Sequence, residues 1–138
     1  MTERYSVLSH TADTGIEAAG ADLAELIGCL AFGMFDLMYD LDALSPGEET
    51  ALDVPAGAPA ELLVDVLSEL LYRSETLDVA YRDIGVAVSD TAATVTARAC
   101  PTAGAALTGP PIKAITYHEL LVEQLPDGTW RGRVIFDV

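Results

Sequence analysis

Two stretches of this chain place apolar side chains at every third or fourth position, and most of the chain beyond the second one alternates. Leu23, Leu26, Ile27, Leu30, Ala31, Met34, Phe35 and Met38 come after Asp22, whose spacing to Glu25 is that of a capping box. Leu62, Leu63, Val66, Leu67, Leu70 and Leu71 form a second stripe behind Pro59, a residue suited to a first helical turn. From residue 80 the period shortens to that of strands. Asp83–Val88 and Ala92–Ala99 flank Ser89-Asp90-Thr91 as a hairpin, and Ile112–Leu125 turns at Pro126-Asp127-Gly128 to return as Thr129–Val138. Residues 4–8 and 15–19 read as short strands around a turn at His10–Asp13, and 48–54 as an extended segment. This order predicts an α+β fold, two main helices packed on a largely antiparallel or mixed β-sheet. At 138 residues without an internal repeat, 1–138 is one domain.

Composition removes several classes of function. Seven basic residues against 22 acidic ones give a formal charge of −15, so direct binding to a phosphate backbone is not expected. The charge suits a basic partner, or equally a high-salt background. No apolar run reaches the length of a membrane span, and Met1-Thr2-Glu3-Arg4-Tyr5 does not open a secretion signal, so a cytoplasmic protein is expected. Cys29 and Cys100 are not in metal spacing, and Cys29 falls on the apolar helix face, where a free thiol is normally buried. There is no phosphate loop, dinucleotide fingerprint or nucleophile elbow. Nothing in the sequence is built to turn over a substrate by itself.

The chemistry that remains gathers at the last strand. Trp130, Val134, Phe136 and Val138 share one face by alternation and point to the core; Arg131, Arg133, Ile135 and Asp137 take the other. Asp137 and the terminal carboxylate of Val138 put two anions on adjacent residues, which repel unless a cation or a proton intervenes. With Leu125 paired to Thr129, Tyr117 falls opposite Asp137 and Lys113 about four residues further on, within reach of the carboxylates. On geometry alone this is first a surface salt bridge and second a site. Asp13, in His10-Thr11-Ala12-Asp13-Thr14-Gly15, offers a third acid, although Asp before Thr-Gly also serves ordinary turns. His10 and His118 are too few for zinc, and carboxylates favour Ca²⁺, Mg²⁺ or Mn²⁺.

Five blocks resemble the archease family in the right order along the whole chain. They are His10-Thr11-Ala12-Asp13-Thr14-Gly15, Ala31-Phe32-Gly33-Met34-Phe35-Asp36-Leu37-Met38, Leu62–Asp65 with Ser68–Tyr72, Lys113-Ala114-Ile115-Thr116-Tyr117-His118, and Arg133–Val138. Asp40–Pro59 and Val79–Pro111 match in length only. The resemblance implies an accessory protein, not an enzyme, that assists an RtcB-type ligase in tRNA splicing and RNA repair. The ligase binds GTP and forms the guanylate adduct itself. Carried over by motif, Asp13 and Asp137 bind a divalent metal, Ca²⁺ before Mg²⁺ or Mn²⁺, with the Val138 carboxylate completing the set. Lys113 is the companion cation needed for activation, and His10, Tyr117 and His118 are candidates for supporting roles. The rival expectations are a general chaperone or modulator of RNA-modifying enzymes such as tRNA methyltransferases, and a small metal-dependent hydrolase.

Overall fold

A computed structural model of the chain describes residues 4–8 and 14–138. Its elements run β1 (Ser6–Val7), β2 (Thr14–Gly20), α1 (Leu23–Met38), β3 (Glu48–Pro55), α2 (Pro59–Leu77), β4 (Val79–Val88), β5 (Ala92–Pro101), β6 (Ala114–Ile115), β7 (Leu121–Gln124) and β8 (Trp130–Asp137).

The helices begin where local chemistry favours it. The Asp22 carboxylate accepts the Glu25 N–H at 2.8 Å, and Glu25 reaches back to the Ala21 N–H at 3.3 Å, so two otherwise orphaned donors at the start of α1 are satisfied. Pro59 opens α2, which ends at Asp78 in the left-handed region with φ of 54°.

The fold is α+β and every strand pairing among the described residues is antiparallel. The strands form two sheets where the sequence suggested one. The first has the order β1-β2-β8-β6, with β7 also on β8; the second is β3-β5-β4. Both helices pack against both sheets, α1 touching β4 on one side and β2 and β8 on the other. A helix lying on one sheet buries a single stripe. Helix α1 lies between two, and Leu26, Ile27, Leu30, Ala31, Met34 and Phe35 are all fully buried. Gly33 lets α1 approach β2 closely: a Cβ there would stand 2.7 Å from Ile16 Cδ1 and 2.9 Å from Tyr5 Cγ.

Strand β8 is shared by three neighbours. Its pairing with β2 runs from Thr14↔Phe136 to Gly20↔Trp130, while β7 takes its other side from Leu121↔Arg133 to Gln124↔Trp130. Val134 and Phe136 are buried in the core as expected, and Trp130 is partly buried. Val138 is not in the core. It is 40% exposed, because it lies beyond the last paired residue, Asp137, and no strand among the described residues pairs with it. Ile135, assigned to the solvent face, is buried instead. Leu8, also buried, lies on the same side of β2, and both side chains use the space left at Gly15, where a Cβ would stand 2.6 Å from Ile135 Cδ1 and 2.9 Å from Leu8 Cδ1.

The expected long strand from Ile112 is two short ones. From Ala114 to Leu121 the chain advances seven residues while its partner advances four, from Arg133 to Asp137, so three residues are extruded between β6 and β7. The Gly/Pro/Ala-rich stretch before β6 is tied down at Met38, whose carbonyl accepts the Thr108 N–H at 2.7 Å and whose sulfur accepts the Ile112 N–H at 3.4 Å. Among the described residues, no helix is long and apolar enough to cross a membrane.

Candidate functional site

The end of β8 is held from both sides. Thr14 of β2 pairs with Phe136 on one flank, and Ile115 of β6 pairs with it on the other. Ala114 is the Cα partner of Asp137, and the Lys113 N–H donates to the Asp137 carbonyl at 2.7 Å. The extrusion between β6 and β7 therefore carries Lys113 directly alongside Asp137, not four residues beyond it.

The side chains there are open. Lys113 and Asp137 are exposed, and among the described residues neither forms an ion pair. The salt bridge expected at this edge is absent among them, and the arginines nearby have other partners: Arg131 pairs with Glu123 at 2.8 Å, and Arg133 Nε donates to the Glu119 carbonyl at 3.0 Å. The two residues are joined through their backbones, and among the described residues each side chain keeps its charge without an ion-pair partner.

Tyr117 is not opposite Asp137, as the sequence register had placed it. Thr116 diverts the strand: its N–H and its hydroxyl both donate to the Ile135 carbonyl, at 3.0 and 2.9 Å, and the hydroxyl accepts the His118 N–H at 3.3 Å. The Leu120 N–H then closes a turn on the Tyr117 carbonyl at 3.3 Å, and Glu119 takes φ of 51°. Tyr117 and His118 project to solvent, with His118 Nε2 3.6 Å from Glu119 Oε2. Neither joins Asp137. Thr116 and Met38, which place Lys113 and the turn, were not singled out from sequence; a Thr two residues before His118 is the one available hint, through its hydroxyl-bonded turn.

His10 and Asp13 lie outside the described residues. What is described fits a hard cation in donor type, since the Asp137 carboxylate is exposed oxygen free of an ion pair. It does not fill a coordination set, because no group of three His, Cys, Asp or Glu able to hold a metal occurs among the described residues. The expected third acid, Asp13, is bonded to Thr14, whose pairing partner Phe136 is bonded to Asp137.

A groove of about 550 Å³ lies toward the opposite end of β2 and β8, lined by Arg4, Glu17, Glu25, Cys29 and Arg131 among others. Burial raises the Cys29 thiol above its ordinary pKa, the Glu25 charge adds to the rise, and Arg4 opposes it. Burial thus disfavours the thiolate, and Cys29 takes no part in the edge at Asp137.

The sequence of residues 5–138 matches the model of the Archease protein family. The chain belongs to the archease family. Protein archease of Thermococcus gammatolerans is 31% identical over 140 residues, covering 98% of this chain and 99% of the relative. Protein archease of Methanosarcina acetivorans is 33% identical over 146 residues, covering 99% and 97%. The solution structure of Methanobacterium thermoautotrophicum protein 1598 superposes with a TM-score of 0.78 at 28% identity, covering 99% of this chain and 100% of that one. The crystal structure of an archease from Thermotoga maritima shares the fold, with a TM-score of 0.69 at 23% identity and coverage of 95% and 94%. Archease membership thus agrees with the architecture of two helices and two antiparallel sheets.

Proposed function

We propose that this chain is an accessory protein that activates a GTP-dependent RtcB-type tRNA-splicing RNA ligase, promoting guanylylation of the ligase and its multiple turnover in tRNA splicing and RNA repair. The observation that carries the reading is the edge where the Lys113 backbone is fastened to Asp137 while both side chains remain free of ion pairs among the described residues. In this reading Asp13, Asp137 and the Val138 carboxylate hold a divalent cation, Ca²⁺ first and Mg²⁺ or Mn²⁺ as alternatives. When bound, the cation supplies positive charge for phosphate oxygens. Lys113 presents its ammonium as a second, compact charge to the same phosphates. GTP and the RNA ends are held by the ligase, in keeping with an acidic chain that is a poor ligand for nucleic acid. The chain itself turns over no substrate.

The test is ligase turnover with excess RNA ends, GTP and Mn²⁺, and the accessory chain below stoichiometric amounts. Wild type is expected to give multiple turnovers, and Asp137→Ala and Asp13→Ala none. Calorimetry with Ca²⁺ alone provides an independent readout: Asp137→Ala weakens binding, whereas Lys113→Ala leaves binding intact and loses stimulation. Unchanged stimulation by Asp137→Ala would sink the reading.

A second reading draws on the Thermotoga maritima protein, which is described as a possible chaperone. A general chaperone or modulator of RNA-modifying enzymes, tRNA methyltransferases among them, needs no metal. It predicts that Asp137→Ala still protects its client from aggregation.

A further inference from the structure

The residues extruded between β6 and β7 do more than bring Lys113 to Asp137. They put Tyr117 where nothing folds over it, 65% exposed, at the tip of a turn held on several sides. The Thr116 hydroxyl fastens the turn to Ile135 and to the His118 N–H, and Arg133 fastens it to the Glu119 carbonyl. Glu119 sits in the left-handed region, a cost that a straight hairpin would avoid. An aromatic ring on a preorganised turn loses little freedom when it is covered, which is why such rings recur as anchors in protein interfaces.

Charge narrows what can cover it. The chain carries 22 acidic and seven basic residues, so an acidic surface is repelled at a distance and a basic one attracted. On the turn itself Glu119 carries a carboxylate, while Arg133 donates to the Glu119 backbone carbonyl and keeps its charge, so the attraction comes from the chain's overall excess of acid. The face of a tyrosine ring carries the negative part of its quadrupole and attracts a lysine or arginine laid over it.

Resting on the accessory-protein reading above, we propose that Tyr117 is a docking anchor for a basic protein surface on the partner, which lays a lysine or arginine side chain over the ring. Tyr117 then sets how tightly the chain docks, while Lys113 and Asp137 set what it does once docked.

The experiment measures the Kd of the full chain for the ligase by calorimetry, together with maximal stimulation at saturation. Tyr117→Phe keeps the ring face and stays within about threefold of wild type. Tyr117→Leu keeps apolar bulk, lacks the ring face, and raises Kd about tenfold with maximal stimulation unchanged. Because the side chain is exposed, circular dichroism and the melting temperature do not move. A Tyr117→Leu chain that binds within about threefold of wild type overturns the proposal. So does a lowered maximum at saturation, which would place the ring in the activation step. An RNA oligonucleotide that binds wild type alone and loses affinity with Tyr117→Leu would give the ring to a base, and also overturns it. A wild-type chain that binds no ligase overturns the accessory reading, and the anchor with it.

Discussion

Two glycines of helix α1 should respond to alanine with opposite signs. At either position a helix interior gains about 1 kcal/mol when Gly becomes Ala. At Gly28 the added Cβ meets Val86 Cγ2 at 3.8 Å and the Ile84 carbonyl at 3.9 Å, ordinary contacts, so the propensity gain survives. At Gly33 it meets Ile16 Cδ1 at 2.7 Å and Tyr5 Cγ at 2.9 Å. Neither neighbour can easily withdraw. Ile16 is fully buried, in a strand paired with both Val7 and Val134; the Tyr5 hydroxyl is bonded to Asp36 at 2.7 Å and its ring stands edge-on to Phe32. Overpacking of this kind costs about 1–3 kcal/mol. Gly33→Ala is therefore expected to lose about 1 kcal/mol net and Gly28→Ala to gain up to about 1 kcal/mol, a gap of about 2 kcal/mol between them. Urea denaturation at equal slope reads that gap as a difference in midpoints. A midpoint for Gly33→Ala above that of wild type would mean that Ile16 and Tyr5 can yield, and would refute the close-packed seam between α1 and β2.

Other perturbations act on single contacts. Thr116→Val keeps the branched shape and the backbone bond to Ile135 but removes the two hydroxyl bonds, to the Ile135 carbonyl and from the His118 N–H; a loss of about 1–2 kcal/mol is expected, with faster amide exchange confined to residues 116–120. The Cys29 thiol, raised by burial, should alkylate more slowly than a free thiol near neutral pH and reach full rate only at higher pH. By linkage its contribution to stability is complete below the unfolded thiol pKa and is lost as pH rises through the raised folded value, which Cys29→Ala should abolish in alkaline denaturation curves. Asp127 is held below the usual carboxylate range, first by the Thr129 hydroxyl at 2.6 Å and then by the Thr129 N–H at 2.9 Å. Its folded pKa is depressed, so the turn is stabilised above the unfolded value and loses that support as pH falls through the folded one; Thr129→Val should return the NMR titration of Asp127 toward normal.

The helices and most strands were legible because each carries a period. The apolar stripe of α1 gave its extent, and Asp22 with Glu25 gave its start. What periodicity does not carry is partnership. The same stripes serve one sheet or two, and only the burial of α1 on both sides distinguishes the cases. Ile135 looked outward by alternation and is buried where Leu8, from the far end of the chain, shares with it the space left at Gly15. The register at Tyr117 was missed for a local reason. The turn at Thr116–Leu120 contains no Gly or Pro, and the left-handed position is filled by Glu119, a residue that gives no warning of it. Of the candidate site, the meeting of Lys113 with Asp137 was legible as a neighbourhood and not as a contact, since that error in register stood between them.

The sharing of β8 has a consequence for how the molecule is made. The sheet β3-β5-β4 and helix α2 lie within residues 48–101, so their contacts close short loops and can form while synthesis continues. Strand β2 must wait: Thr14 finds Phe136 only after nearly everything between them has emerged, and β6 and β7 wait for the same strand. Long-range pairing of this kind is the slow part of folding. The edge that joins Lys113 to Asp137 is thus assembled at the last closure among these strands, and a partner that recognises it meets only chains in which β8 has taken its place between β2 and β6.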